Sequence, residues 1–150
     1  DMIKAVSAKD NITMVRVRSS HQLSHWSFIG KVFSVFEHHC IPIDMIASTE
    51  TSISLTIERS QLPSEVRRGL EQLGTVEEER ELTIICVVGD MEWENIGFEA
   101  QILKALEEIP VRMISYGGSD YNLSLLVSAA DKRRTLLALS HQLFGAACPG

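Results

Sequence analysis

An internal repeat constrains the fold of this chain more than any other feature of its sequence. The phrase IPIDMI at residues 41–46 returns as IPVRMI at residues 109–114, with Asp44 exchanged for Arg112. A shift of 70 residues also aligns FIGKVFSVFEHH with FEAQILKALEE, and SISLTI with NLSLLV. Similarity at a nearly fixed offset indicates two homologous modules in tandem.

The first module has a regular order of predicted elements. ITMVRV alternates apolar and polar residues like a strand, and FIGKVFSVF has apolar residues at helical spacing. IPIDMIAS and SISLTIE are typical of strands, and LPSEVRRGLEQL predicts an amphipathic helix before a last strand that ends near Glu81. Gly74 stands where a helix stop is expected. The order β-α-β-β-α-β is that of a ferredoxin-like α+β unit.

The second module repeats this order but lacks its last strand. Five of the six places are filled by the strand LTIICVV, a helix over about 95–108, the strands VRMISYG and NLSLLVS, and a helix over about 131–144. IKAVSA at residues 3–8 is the one strand-like segment left over, so it is predicted to complete the second sheet. The first module, residues 10–81, is therefore expected to be inserted within the second, which comprises residues 1–9 plus 82–150.

Composition restricts the partners and the compartment. A net charge of -6 repels phosphate backbones and anionic lipids, so neither nucleic acid nor a membrane is an expected partner. The three cysteines form no CxxC pair, which fits a reducing compartment. No signal-peptide pattern and no apolar run of about 20 residues is present, so a cytoplasmic location is predicted.

The two modules carry the motifs of a known family. Phe28 to Val35 followed by Ile41 to Leu55 resembles the first regulatory ACT domain of lysine-sensitive aspartate kinases. RMISYGGSDYNLSLLV, from Arg112 to Val127, resembles the second ACT domain of the same enzymes. The resemblance implies an allosteric region that binds lysine for feedback inhibition. It also implies a homodimer through the first modules and a kinase domain elsewhere in the full-length chain. No catalytic site and no cofactor are expected in these residues.

The resemblance also implies an effector site between the first modules of two subunits. A strand-to-helix turn offers N–H donors and a positive dipole end to the effector carboxylate. In the family the second strand's aspartate, matched by Asp44, takes the effector's ammonium, and Glu50 could counter a lysine side chain. The predicted effector-binding residues are Ser24, His25, Ser27, Phe28, Ile29, Ile43, Asp44, Ser48, Thr49, Glu50 and Thr51.

Several alternatives remain open at this point. A threonine effector would use the same turn and Asp44 without needing Glu50. An RNA-binding module shares the βαββαβ order, but it would need exposed aromatic residues and a basic face. An independent enzyme would need a clustered acid and base, and the sequence shows no such signature. His38, His39 and Cys40 suggest a metal cluster, but a solvated helix end is the preferred interpretation, and no metal is predicted.

Overall fold

The computed structural model describes residues 3–20, 24–89, 98–116 and 122–143. The described elements, in chain order, are β1 (Ile3–Ser19), α1 (His25–His38), β2 (Ile46–Ser48), β3 (Ser52–Ile57), α2 (Ser64–Glu71), β4 (Gly74–Gly89), α3 (Phe98–Ala105), β5 (Val111–Tyr116), β6 (Asn122–Ser128) and α4 (Lys132–Leu143). The chain divides into two compact units. We call Asn11–Leu82 the inner unit, and Asp1–Asp10 with Thr83–Gly150 the outer unit, after their places in the sequence.

The inner unit has the strand order β2-β3-β1-β4. The central strand β3 pairs antiparallel with both β1 and β2, and Arg16 faces Ser54 across the β1–β3 pair. Alternate residues of β3 point into a core shared with α1 and α2, since successive strand residues face opposite sides of a sheet. This core consists of Val15, Val17, Phe28, Val32, Phe36, Ile41, Ile53, Leu55, Ile57, Leu62, Val66 and Leu70.

The outer unit has the strand order β1-β4-β6-β5. Counted from β4, its elements follow in the order strand, helix, strand, strand, helix, and β1 lies beside β4. Val6 of β1 packs against the core of this unit. The core consists of Ile85, Val87, Ile102, Leu106, Ile109, Leu123, Leu125, Val127 and Leu139. In the inner unit β1 lies between β3 and β4, and in the outer unit β4 lies between β6 and β1. The two units thus have the same relative strand order.

Two strands are longer than the sequence predicts. IKAVSA and ITMVRV are predicted as separate strands but form the single strand β1, and β4 likewise joins two predicted strands. Each contains one left-handed residue, Asn11 at φ 63° and Glu81 at φ 56°. A single such residue redirects a strand without ending it, and no glycine or proline separates the predicted segments. The acidic run EEERE at residues 77–81 therefore lies inside β4.

Glu78, within that acidic run, is nearly buried, with its side chain 7% exposed. Its carboxylate accepts hydrogen bonds from Arg80 Nε (2.6 Å), the Leu62 backbone N–H (3.0 Å) and Arg67 Nη2 (2.9 Å). Burial alone raises the pKa of Glu78, but the bonds from Arg80, Leu62 and Arg67 outweigh it and lower the pKa to about 2. The carboxylate thus joins β4 to α2 and to the segment before it.

We expect Glu78→Gln to lower the free energy of unfolding at neutral pH by about 2–3 kcal/mol, because an amide cannot pair with both arginines. The pKa of Glu78 is about 2 in the folded protein and 4.5 ordinarily. The stabilisation by the ionised carboxylate is therefore complete above pH 4.5 and is lost as the pH falls toward 2. Wild type and variant should therefore converge in stability in acid, as measured by urea unfolding at several pH values.

Glu77 provides a matched control for this prediction. It pairs with Arg18 at 3.4 Å, and both side chains are at least half exposed. An exposed ion pair contributes little, so Glu77→Gln should change stability by no more than about 0.5–1 kcal/mol. A Glu78→Gln defect that stays constant with pH would contradict the role assigned to its carboxylate.

The N-terminal half of β1 is tied to the outer unit by Asp10. Its carboxylate accepts a hydrogen bond from Lys132 Nζ at 2.8 Å and another from Thr83 Oγ1 at 3.1 Å. The hydrogen bonds of Lys132 and Thr83 hold the pKa of Asp10 below its ordinary value. These bonds connect β1, β4 and the start of α4 within one unit.

None of the helices in the described part of the chain has the length and the apolar composition needed to span a bilayer.

Candidate functional site

The first part of the predicted site lies at the N-terminus of α1. Ser24 is the N-cap, and its Oγ accepts the backbone N–H of Ser27 at 3.2 Å. The Phe28 N–H donates to the Ser24 carbonyl at 2.9 Å, which is the first bond of the helix. The N–H groups of His25 and Trp26 precede that bond, so the helix itself cannot satisfy them. This end of α1 suits an anionic group such as a carboxylate.

Side chains of the same segment divide between the core and the surface. Phe28 is buried at 1% exposure in the inner core, and Ile29 packs against that core. Ser24 and Ser27 are exposed, and Trp26 is 79% exposed. The His25 ring lies edge-on to that of Trp26 at 5.3 Å, and its buried Nδ1 has no hydrogen-bond partner among the described residues. Phe28 and Ile29 thus anchor the turn, while the polar residues form its surface.

The C-terminus of α1 directs the chain toward Asp44. Ile41 N–H donates to the Phe36 carbonyl and Cys40 N–H donates to the Glu37 carbonyl, both at 3.0 Å. With Cys40 left-handed at φ 56°, these two bonds form a Schellman motif, and its apolar contact joins Ile41 to Phe36 in the core. Within the described ranges, no group of three or more His, Cys, Asp or Glu side chains could hold a metal.

Asp44 lies just before β2 rather than within it as predicted. Its N–H donates to the Thr56 carbonyl at 2.9 Å, while Thr56 N–H donates to the Met45 carbonyl at 3.0 Å. Met45 N–H is bound by Thr56 Oγ1 at 2.8 Å. Asp44 and Met45 therefore face a single residue of β3, which is the arrangement of a β-bulge. The bulge leaves Asp44 exposed and Met45 buried, and regular pairing starts with Ile46 opposite Leu55.

The predicted residues Ser48 to Thr51 form the connection between β2 and β3. Thr49 organises it: its N–H donates to the Ser52 carbonyl at 2.9 Å, and its Oγ1 accepts the N–H groups of Thr51 and Ser52. Glu50 is exposed at this turn. Ser19 N–H donates to the Thr51 carbonyl at 2.8 Å, which ties the turn to the end of β1. The turn is thus held by its own hydrogen bonds and leaves the Glu50 carboxylate at the surface.

All predicted site residues belong to the inner unit and share its core as support. Ile29, next to the α1 turn, and Ile43, next to Asp44, both pack against that core. Sequence reasoning missed Thr56, which is fully buried and makes three hydrogen bonds to Asp44 and Met45. The available signal was weak, because polar and apolar residues alternate in SISLTI and Thr56 is one of its three polar positions.

The equivalent position of the outer unit has a different chemistry. Val111 pairs with Val127 and Met113 with Leu126, so Arg112 is the extra residue of a bulge between them. The repeat aligns Arg112 with Asp44, and both side chains are exposed. Both units thus keep the irregularity, but only the inner unit places a carboxylate there.

Relatives of known structure identify the family. A model of the ACT domain matches residues 85–143. A structure named for the C-terminal regulatory domain of aspartate kinase, from Porphyromonas gingivalis W83, is 48% identical in sequence with a TM-score of 0.86. The similarity covers 96% of this chain and 99% of that chain. The chain belongs to the ACT regulatory domains of aspartate kinases. Its ferredoxin-like α+β class, predicted from the repeat, is thereby confirmed.

Two full-length relatives show how this ACT region compares with whole aspartate kinases. Aspartokinase 3, chloroplastic, of Arabidopsis thaliana is 33% identical over 96% of this chain, which spans 28% of that protein's length. Escherichia coli aspartokinase III, solved in complex with lysine and aspartate in its T-state, is 29% identical with a TM-score of 0.81. That match covers 95% of this chain and 33% of the enzyme. The aspartate kinase catalytic domain is not among these 150 residues.

Proposed function

We propose that this ACT region binds lysine in its inner unit and thereby controls the aspartate kinase domain of a longer chain. The observation that carries the proposal is the bulge at Asp44, which fixes an exposed carboxylate beside an edge strand. An amino-acid effector needs a carboxylate for its ammonium and oriented N–H donors for its own carboxylate. Asp44 supplies the first, and the Ser24-capped turn of α1 supplies the second.

Lysine is favoured over threonine by the second carboxylate of the site. Lysine carries two ammonium groups, and Glu50 at the β2–β3 turn is exposed to receive the second one. Threonine would leave Glu50 without a role. The E. coli relative that is solved with lysine belongs to the same family, which supports this assignment.

We also propose a homodimer through the inner units. β2 is an edge strand, its three residues are all exposed, and Ile46 is 50% exposed. An exposed apolar edge is commonly covered by a second copy about a two-fold axis. In that dimer, the α1 turn of one chain would meet Asp44 of the other and complete two equivalent sites.

Calorimetric titration with lysine, threonine and methionine, together with sedimentation, tests this function. We expect saturable binding of one lysine per chain, no comparable response to methionine, and a sedimentation mass of two chains. Tighter binding of threonine would transfer the assignment to a threonine sensor. A monomer at micromolar concentration, with or without lysine, would rule out a site built from two subunits.

We also infer that the inner unit is the first ACT module, inserted within the second, whose sheet is completed by the start of β1. The grouping of residues 1–10 with 83–150 and the bonds of Asp10 to Lys132 and Thr83 support this arrangement. Deleting residues 1–9, which lie beside β4, should raise hydrogen exchange in 82–88 more than in 52–58. Equal exchange in the two segments would contradict it.

A further inference from the structure

Thr56 interacts with the proposed ammonium-binding residue without reaching the surface itself. It is 0% exposed, yet it makes three hydrogen bonds to the two residues of the bulge. Its carbonyl accepts the Asp44 N–H, its N–H donates to the Met45 carbonyl, and its hydroxyl accepts the Met45 N–H. Because the hydroxyl accepts the Met45 N–H, that N–H does not compete with the Asp44 N–H for the Thr56 carbonyl.

Removing the hydroxyl would leave the buried Met45 with an N–H that has lost its acceptor. Met45 is 6% exposed, and a buried donor without an acceptor is costly. The strand could recover a hydrogen bond by turning the Met45 N–H toward the Thr56 carbonyl, which would displace the Asp44 N–H from that carbonyl. Because side chains alternate between the two faces of a strand, such a shift would redirect the Asp44 carboxylate.

The repeat provides an internal comparison. The residue of the outer unit that aligns with Thr56 is Leu126, which has no hydroxyl, and the residue that aligns with Asp44 is Arg112. The bulge is present in both units, since Arg112 is skipped between the pairs Val111–Val127 and Met113–Leu126. The unit with a carboxylate at its bulge therefore also has the hydroxyl, whereas the unit with an arginine there has the bulge without the hydroxyl.

We infer that Thr56 is a positioning residue, whose buried hydroxyl fixes the Asp44 carboxylate in the orientation that binds the ammonium of an amino-acid effector. This inference rests on the proposed function. It also adds a residue of β3 to the site. The effector-binding unit then differs from the outer unit at two positions of the site, Asp44 and Thr56, rather than at one.

Binding of L-lysine to three variants of the whole chain tests the role of Thr56. Thr56→Val keeps the shape but removes the acceptor, and it should weaken binding about tenfold or more. Thr56→Ser keeps the hydroxyl and should bind within about threefold of wild type, since the bond to the Met45 N–H can form again. If Thr56→Val does not fold, Thr56→Cys, with its weak sulfur acceptor, replaces it and should show the same loss.

Thr13 supplies the matched control. It is also 0% exposed in the inner unit, but its hydroxyl donates to the Arg59 carbonyl at 2.6 Å. Thr13→Val should lower stability in urea to a degree similar to Thr56→Val and leave lysine binding unchanged. Equal losses of binding in the two variants, or wild-type binding by Thr56→Val, would overturn the inference.

Hydrogen exchange at the Asp44 and Met45 amides gives a readout that needs no ligand. Exchange at both amides should rise in Thr56→Val and remain near wild type in Thr56→Ser and Thr13→Val. If the wild-type chain binds no amino acid, the proposed function fails, while the exchange still decides whether the hydroxyl fixes the bulge. Unchanged exchange in Thr56→Val would refute the positioning role even if binding were lost.

Discussion

Replacing Asp44 by alanine is expected to abolish measurable lysine binding while the protein stays folded. The Asp44 side chain is exposed, and the bond that holds its backbone, from its N–H to the Thr56 carbonyl, does not depend on the side chain. Loss of one partner from a desolvated, charged hydrogen bond costs about 2–5 kcal/mol, which is roughly 30-fold to several-thousand-fold in affinity. Calorimetry measures the affinity, and urea unfolding measures the stability.

Arg112→Ala is the matched control, because Arg112 occupies the aligned position of the outer unit. A cation at that position repels an ammonium, so its removal should leave lysine affinity within about threefold of wild type. Loss of binding in Arg112→Ala, with Asp44→Ala behaving as wild type, would place the effector in the other unit.

Gly74→Ala should destabilise the inner unit strongly. Gly74 is not the helix stop that the sequence predicts: α2 ends at Glu71, and Gly74 starts β4. A Cβ at this position would lie 1.8 Å from the carbonyl oxygen of Arg18. Since that neighbour is backbone, the strand itself must shift, and we expect a loss of about 3 kcal/mol or more in urea unfolding.

The same substitution should also weaken lysine binding. The end of β1 is held by the bond from Ser19 N–H to the Thr51 carbonyl, so a displaced Arg18 disturbs the β2–β3 turn of the site. Gly30 in α1 is the control, because a Cβ there would meet nothing within 4 Å. Gly30→Ala should therefore stabilise the protein by about 0.5–1 kcal/mol. A Gly74→Ala variant as stable as wild type would contradict this prediction, because β1 could then shift without any loss of stability.

The order of elements could be predicted from the sequence because it depends on local patterns. Apolar spacing in FIGKVFSVF predicts a helix, and its residues Phe28, Val32 and Phe36 are indeed buried. The repeat predicted two units of the same kind, and an unassigned strand at the N-terminus. The merging of predicted strands into β1 and β4 was missed, because pairing with neighbouring strands stabilises an extended chain through short polar segments.

The placement of candidate site residues divides in the same way. The Ser24 cap and the Thr49 turn depend on residues within three positions of each other, so local sequence rules suffice to place them. The resemblance of IPIDMIAS to the family motif singled out Asp44 as the predicted ammonium ligand. Neither source indicated that Asp44 lies at a bulge, since that depends on its partner strand.

The sequence by itself determined the order of helices and strands, their repetition, and the reversal of charge between Asp44 and Arg112. Only the tertiary structure decided that Glu78 is nearly buried among arginines, that Gly74 abuts the Arg18 backbone, and that the Thr56 hydroxyl holds the bulge. The bonds from Leu62 and Arg67 to Glu78, the approach of Gly74 to Arg18 and the bond from Met45 to Thr56 each join residues more than ten positions apart. Their hydrogen bonds and close approaches exist only after strands and helices have paired, so no local pattern in the sequence encodes them.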